Sequence, residues 1–131
     1  MGNSAAKKGD QISATDIHII MVPSGPSTVP TPIPHPFMGM IDDNLSQDVS
    51  IEGQPAAYEG STATNTPSHV PSGGTFQKKP SDSATIKMGS QTVKINGKSA
   101  ARNGDMAETC NDPSDMPVGS VIAAGTVMIG G

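Results

Sequence analysis

Four side chains in this sequence belong to the types that bind borderline metals: His18, His35, His69 and Cys110. One thiolate and three imidazoles make a tetrahedral set suited to zinc, with ferrous iron as the alternative. No local motif carries that reading, because the short-spaced pairs of a zinc finger and the HExxH of a metalloprotease are both absent. Spacing against a repeated unit carries it instead. His18 lies nine residues after Gly9, His69 nine after Gly60, and Cys110 six after Gly104. His35, between Pro34 and Pro36, can supply the fourth ligand. Four protein ligands would close the coordination sphere, which marks a structural ion, since a catalytic zinc keeps an open position. Asp112 and Asp115 follow Cys110, but carboxylates in a Pro-containing loop ordinarily form turns. A Cys and His nucleophile pair would need an orienting motif, and none accompanies Cys110.

The repeat itself is explicit. Residues 49–60 read VSIEGQPAAYEG and residues 93–104 read VKINGKSAARNG, so Val49, Ile51, Gly53, Ala56, Ala57 and Gly60 match their counterparts at a constant offset of 44. A third copy appears when the chain ends are read as neighbours: Val127 and Ile129 supply its first half, and Ala5, Ala6 and Gly9 its second. A unit split in this way is what a closed pseudo-threefold arrangement needs, because the last strand must return beside the first. Each unit alternates apolar and polar residues and then turns, which is hairpin patterning. Asn96–Gly97 is the strongest turn signal, since a type I′ turn needs positive φ at both central residues.

With 131 residues the chain has room for one domain, 1–131, and its composition denies that domain a large core. There are 15 Gly, 12 Pro and no Trp, and Phe37, Tyr58 and Phe76 are the only aromatic residues. A single cysteine rules out an internal disulfide, so a metal is the remaining staple. The net charge of −4, with both signs interspersed, offers no basic face to nucleic acid. No stretch approaches the roughly 20 apolar residues of a membrane span, and the polar start lacks the apolar stretch of a secretory signal. Pro23 to Pro36 is expected to be extended or polyproline-like, residues 61–85 turn-rich, and at most one helical turn is expected, near Ile41 to Leu45.

The AAxxGD of residues 5–10, the VxINGKxAARxGD of residues 93–105, the following Cys110 and the closing GTVMIG of residues 125–130 resemble the PAAR and PAAR-like repeat proteins. These include spike-tip proteins of type VI secretion systems, extracellular contractile injection systems and contractile phage tails. The resemblance implies a mainly β fold: a small, loop-rich cone of short hairpins with pseudo-threefold symmetry and a metal-stapled apex. It implies zinc on His18, His35, His69 and Cys110, one ion per chain. It also implies a broad base that caps a trimeric, β-helical, VgrG-like spike, one chain per trimer, with no self-oligomer. Val49, Ile51, Val93, Ile95, Val127 and Ile129 would form the spike-binding face. Such a protein would sharpen the spike for piercing a target membrane, with only transient membrane contact, and help attach effector or cargo proteins. It would reside in the bacterial cytoplasm during assembly and leave with the spike. The chain departs from the shortest members in its Pro-rich insertion, and in the middle unit, where Ser61 stands for the Asp of GD and Glu52 for the Asn of ING. Two other classes compete, an effector-binding adaptor and a small zinc hydrolase.

Overall fold

The structure is a computed structural model that describes residues 2–71 and 73–131. Among the described residues there are thirteen strands and no helix. In chain order they are β1 (Asn3–Ser4), β2 (Gln11–Ser24), β3 (Ser27–Asp43), β4 (Ser50–Ile51), β5 (Gln54–Pro55), β6 (Thr62–Asn65) and β7 (Thr75–Phe76). Then follow β8 (Ser83–Ile86), β9 (Lys94–Ile95), β10 (Lys98–Ser99), β11 (Met106–Thr109), β12 (Met116–Ile122) and β13 (Met128–Ile129). The helical turn expected near Ile41 to Leu45 does not form; β3 runs through Asp43 instead, with Ile41 in register with Ala63 of β6. No helix is long and apolar enough to cross a membrane.

The repeat builds a threefold layer. Each unit opens with a small hairpin: β4 with β5, β9 with β10, and β13 with β1 across the split unit. The first two turn through Glu52–Gly53 and Asn96–Gly97, and all four residues have positive φ, between 51° and 83°. Both are therefore turns of the type I′ kind, and Glu52 adopts the strained conformation in place of the expected Asn. The alanine pairs follow. Ala5, Ala56 and Ala100 donate their amides to the carbonyls of Val127, Val49 and Val93 at 2.9–3.0 Å. The second alanines bond one another in a cycle: Ala6 donates to Ala101, Ala101 to Ala57 and Ala57 to Ala6, at 3.0–3.1 Å. Only a residue without a larger side chain fits at such an axis, and all six alanines are at most 2% exposed.

Above this ring each unit sends out a longer hairpin arm: β2 with β3, β6 with β8, and β11 with β12. Neighbouring arms also pair, in the order β12-β11-β8-β6-β3-β2, and β2 closes the circuit onto β12. The result is a six-stranded antiparallel barrel without open edges along its closed part. Its interior is narrow and filled by Ile12, Phe37, Ile41, Ala63, Ala84, Ile86, Ala107 and Val121. Gly39 sits where a Cβ would come within 2.8 Å of the Phe37 ring, so the bore has no room for another side chain there. A second, smaller core of Ile51, Ile95 and Ile129 with the first alanines lies on the other side of the ring.

The barrel then narrows. β12 pairs with β2 only at residues 11–13, and β6 with β3 only from Gly39 onward, whereas β2 and β3 stay paired through Ser24↔Ser27. Beyond the closed part, β7 is the one strand among the described residues that pairs with this hairpin, at Ile20 and Met21. The Pro-rich segment is thus extended, as expected, but as a paired strand and not a polyproline stretch. Its tip is a two-residue turn in which Gly25 has φ of 59° and Pro26 follows. With that register, Pro30, Pro32, Pro34 and Pro36 all turn their nitrogen away from β2, toward the edge that β6 does not reach. An edge strand tolerates proline because no ladder bond is lost there.

Candidate metal centre

Where the barrel narrows, alternation along β2 points Asp16 and His18 inward, and β3 does the same with His35 and Phe37. The loop after β6 delivers His69, and the residue after β11 is Cys110. One arm therefore supplies Asp16, His18 and His35, the second His69, and the third Cys110. Asp16, His18, His69 and Cys110 each place one donor atom within 4.8 Å of the others. His18 Nε2 lies 3.7 Å from Cys110 Sγ, and Asp16 Oδ2 lies 3.0 Å from His69 Nε2 and 3.4 Å from Cys110 Sγ.

His35 stands beside this four-atom group. Its ring is 5.4 Å from both the His18 and His69 rings, which are themselves 4.9 Å apart. The close group therefore contains Asp16, which the ligand pattern in the sequence does not single out, and places His35 next to it. Asp16 was nonetheless readable, because it is two residues before His18 on the same face of a strand. Two of the three aromatic residues, Phe37 and Phe76, flank the imidazoles at 5.8–6.1 Å between ring centres.

Hydrogen bonds fix the orientation of these groups. Asp16 is fully buried, and its Oδ1 accepts from the Thr109 hydroxyl and from Asn111 Nδ2. Its Oδ2 faces the Cys110 thiol and His69 Nε2. Asn65 accepts the Met38 amide through Oδ1 at 2.9 Å, which turns its Nδ2 toward His69 Nδ1 at 3.2 Å. His69 Nδ1 is then an acceptor and its proton resides on Nε2, directed at Asp16. His35 Nδ1 contacts the Ile33 carbonyl at 2.8 Å, so it carries the proton. That leaves His35 Nε2 as a buried lone pair with no partner.

Electrostatics favour the neutral forms of His18 and Cys110. Burial pushes the His18 pKa below its usual 6.5, more than the nearby Asp112 carboxylate raises it. Burial, followed by the Asp16 charge, pushes the Cys110 thiol up to about 12. The Cys110 thiol and the His18 imidazole thus lie, both favoured in their neutral forms, beside the buried Asp16 side chain. A divalent ion supplies the positive charge that would favour the thiolate, and it would replace the Cys110 proton directed at Asp16. A thiol, imidazoles and a carboxylate brought together, with an orphaned imidazole nitrogen, fit a zinc-like ion.

The residues proposed to face a spike are divided by the fold. Ile51, Ile95 and Ile129 are 5–6% exposed, packed in the chain's own second core, and so unavailable to a partner. Val49, Val93 and Val127, 37–40% exposed, are open. An alternating VxI pair would share one face of a long strand, but β4 and β9 hold only two residues each and begin after the valine.

Residues 77–131 match the family profile described as the PAAR motif. That span holds β8 to β13 and Cys110, while the three histidines lie before it. Among curated proteins no significant match is found.

Proposed function

We propose, from the premise that this chain is a PAAR-motif protein, that it is the structural tip of a contractile injection machine, capping a trimeric β-helical, VgrG-like spike. The observation that carries this reading is the closed cycle of Ala6, Ala57 and Ala101, by which one chain presents three near-equivalent faces to a threefold partner. The exposed valines Val49, Val93 and Val127 recur once per face, and burying them on the blunt end of a spike would remove apolar surface from water. At the other end the narrowing barrel forms the point. Zinc held by His18, His35, His69 and Cys110 would join all three arms there, with Asp16 as their hydrogen-bonded neighbour. The ion's role would be to tie loops that the small core leaves weakly held, and no catalytic step is assigned to it. Bound to a spike, the protein would leave the bacterial cell with it, and effector or cargo proteins would attach to the same tip.

The test is co-purification with a trimeric spike protein of the same machine, with mass measurement of the complex. One tip chain per three spike chains is the expected ratio. The Val49→Asp, Val93→Asp and Val127→Asp triple variant should keep its melting temperature and lose the complex. Binding at equal stoichiometry, or a triple variant that binds as well as the parent, would overturn the reading.

A further inference from the structure

We propose that Asp112 is the positioning residue of His18, accepting the Nδ1 proton so that Nε2 is left as the metal-binding nitrogen. The inference deepens the metal-centre reading and rests on it. Only three buried side-chain nitrogen or oxygen atoms among the described residues lack a hydrogen-bond partner, and two of them are His18 Nδ1 and Asp112 Oδ1. His18 Nδ1 and Asp112 Oδ2 are 3.6 Å apart, with the two side chains 1% and 3% exposed. A shift of about 0.6 Å would bring them to ordinary hydrogen-bond length.

Asp112 is well placed for such a role because the backbone on both sides of His18 holds it. Its amide donates to the Ile17 carbonyl, and its Oδ2 accepts the Ile19 amide, both at 2.8 Å. The neighbouring Asn111 Oδ1 accepts the Ile17 amide at 2.7 Å. The segment after β11 thereby continues along the free edge of β2, with side chains doing part of the pairing. The other two imidazoles have their far nitrogens addressed by different groups, a backbone carbonyl for His35 and an amide for His69. A carboxylate behind a metal-binding imidazole fixes the tautomer and raises the basicity of the ligating nitrogen, and removing such a partner commonly costs 10- to 100-fold in affinity.

The decisive experiment combines nitrogen NMR of His18 in the full chain with zinc affinity by chelator competition, on the parent and on Asp112→Asn and Asp112→Ala. The expected parent signature is a protonated Nδ1 in both the metal-free and the zinc-loaded protein. The atom facing Nδ1 is Oδ2, which also accepts the Ile19 amide, so Asp112→Asn keeps an oxygen there and removes only the charge. Asp112→Ala removes the acceptor, and His18 should then move toward the Nε2-protonated form without metal. Both variants should bind zinc about 10- to 100-fold more weakly, and their metal-free melting temperatures should stay within a few degrees of the parent. A parent in which Nδ1 carries no proton would overturn the proposal without any variant, as would zinc affinities within twofold of the parent's. A parent that binds no zinc would overturn the metal-centre reading instead, while the metal-free NMR would still decide whether Asp112 holds the His18 proton.

Discussion

At the scale of single residues, the two candidates for the fourth ligand are distinguished by what already satisfies them. Both oxygens of Asp16 face donors, namely Thr109, Asn111, Cys110 and His69, whereas His35 Nε2 has none. Zinc should therefore depend more on His35 than on Asp16. Removing a direct ligand should lower affinity by well over 100-fold, and Asp16→Asn by about 10-fold, as for a second-layer hydrogen bond; chelator competition on His35→Ala and Asp16→Asn tests the order. The metal-free protein also makes a pH prediction. The Cys110 thiol is raised from 9.0 to about 12 on folding. Its stabilising effect is complete below pH 9 and lost as pH rises from 9 toward 12. His18 is shifted the other way, so stability is fullest above pH 6.5 and declines as pH falls through the lowered value. Urea titrations of the metal-free chain from pH 4 to 11 should show a plateau between these two losses. His18, His69 and Cys110 were legible from spacing against the repeat, and His35 only as a further imidazole between two prolines. Asp112 was not, because nothing in a sequence shows that a turn-forming carboxylate lies against Ile19 and His18.

At the scale of elements, Ser61 shows why one unit departs from its two siblings. In the others Asp10 and Asp105 accept the amides of Lys7 and Arg102 and pair with those same side chains. The equivalent of the cation in the middle unit is Tyr58, so an aspartate at 61 would have no counter-charge. Ser61 is fully buried, accepts the Tyr58 amide at 3.0 Å and donates to the Asn44 carbonyl at 2.7 Å. Restoring the repeat with Ser61→Asp should therefore destabilise the chain, by about 1–3 kcal/mol, since it removes the donor to Asn44 and buries an unpaired charge. A urea midpoint equal to or above that of the parent would contradict this. The β2–β3 hairpin gives the opposite lesson about legibility. Its prolines recur at every second position from Pro30 to Pro36, the pattern of an edge strand with its missing N–H groups turned outward. Composition suggests an extended or polyproline-like segment there and leaves the choice open, because proline content speaks to the absence of internal hydrogen bonds and not to a partner strand on the other side.

At the scale of the whole molecule, a single chain of 131 residues imitates a trimer. Three alanine pairs form the waist, each first alanine facing the small core with Ile51, Ile95 and Ile129, and each second alanine facing the barrel core. The threefold was legible in the repeat, including the unit shared by residues 3–4 and 128–129, which pair as β1 and β13. The closure of the arms into a barrel was not, since it depends on pairings between units that share no local signal. With cores this small, the metal should provide a large share of stability. A ligand at a free concentration 100 times its Kd stabilises by about 2.7 kcal/mol, which for a chain of this size is about 10 °C in melting temperature. The measurement that bears most directly on this is elemental analysis of the purified chain, with melting temperatures for the parent, His69→Ala and Cys110→Ser. About one zinc per chain in the parent, with the metal lost and melting lowered by about 10 °C or more in both variants, is the expected result. A metal-free parent, or variants that keep the metal and the melting temperature of the parent, would contradict a metal-tied point.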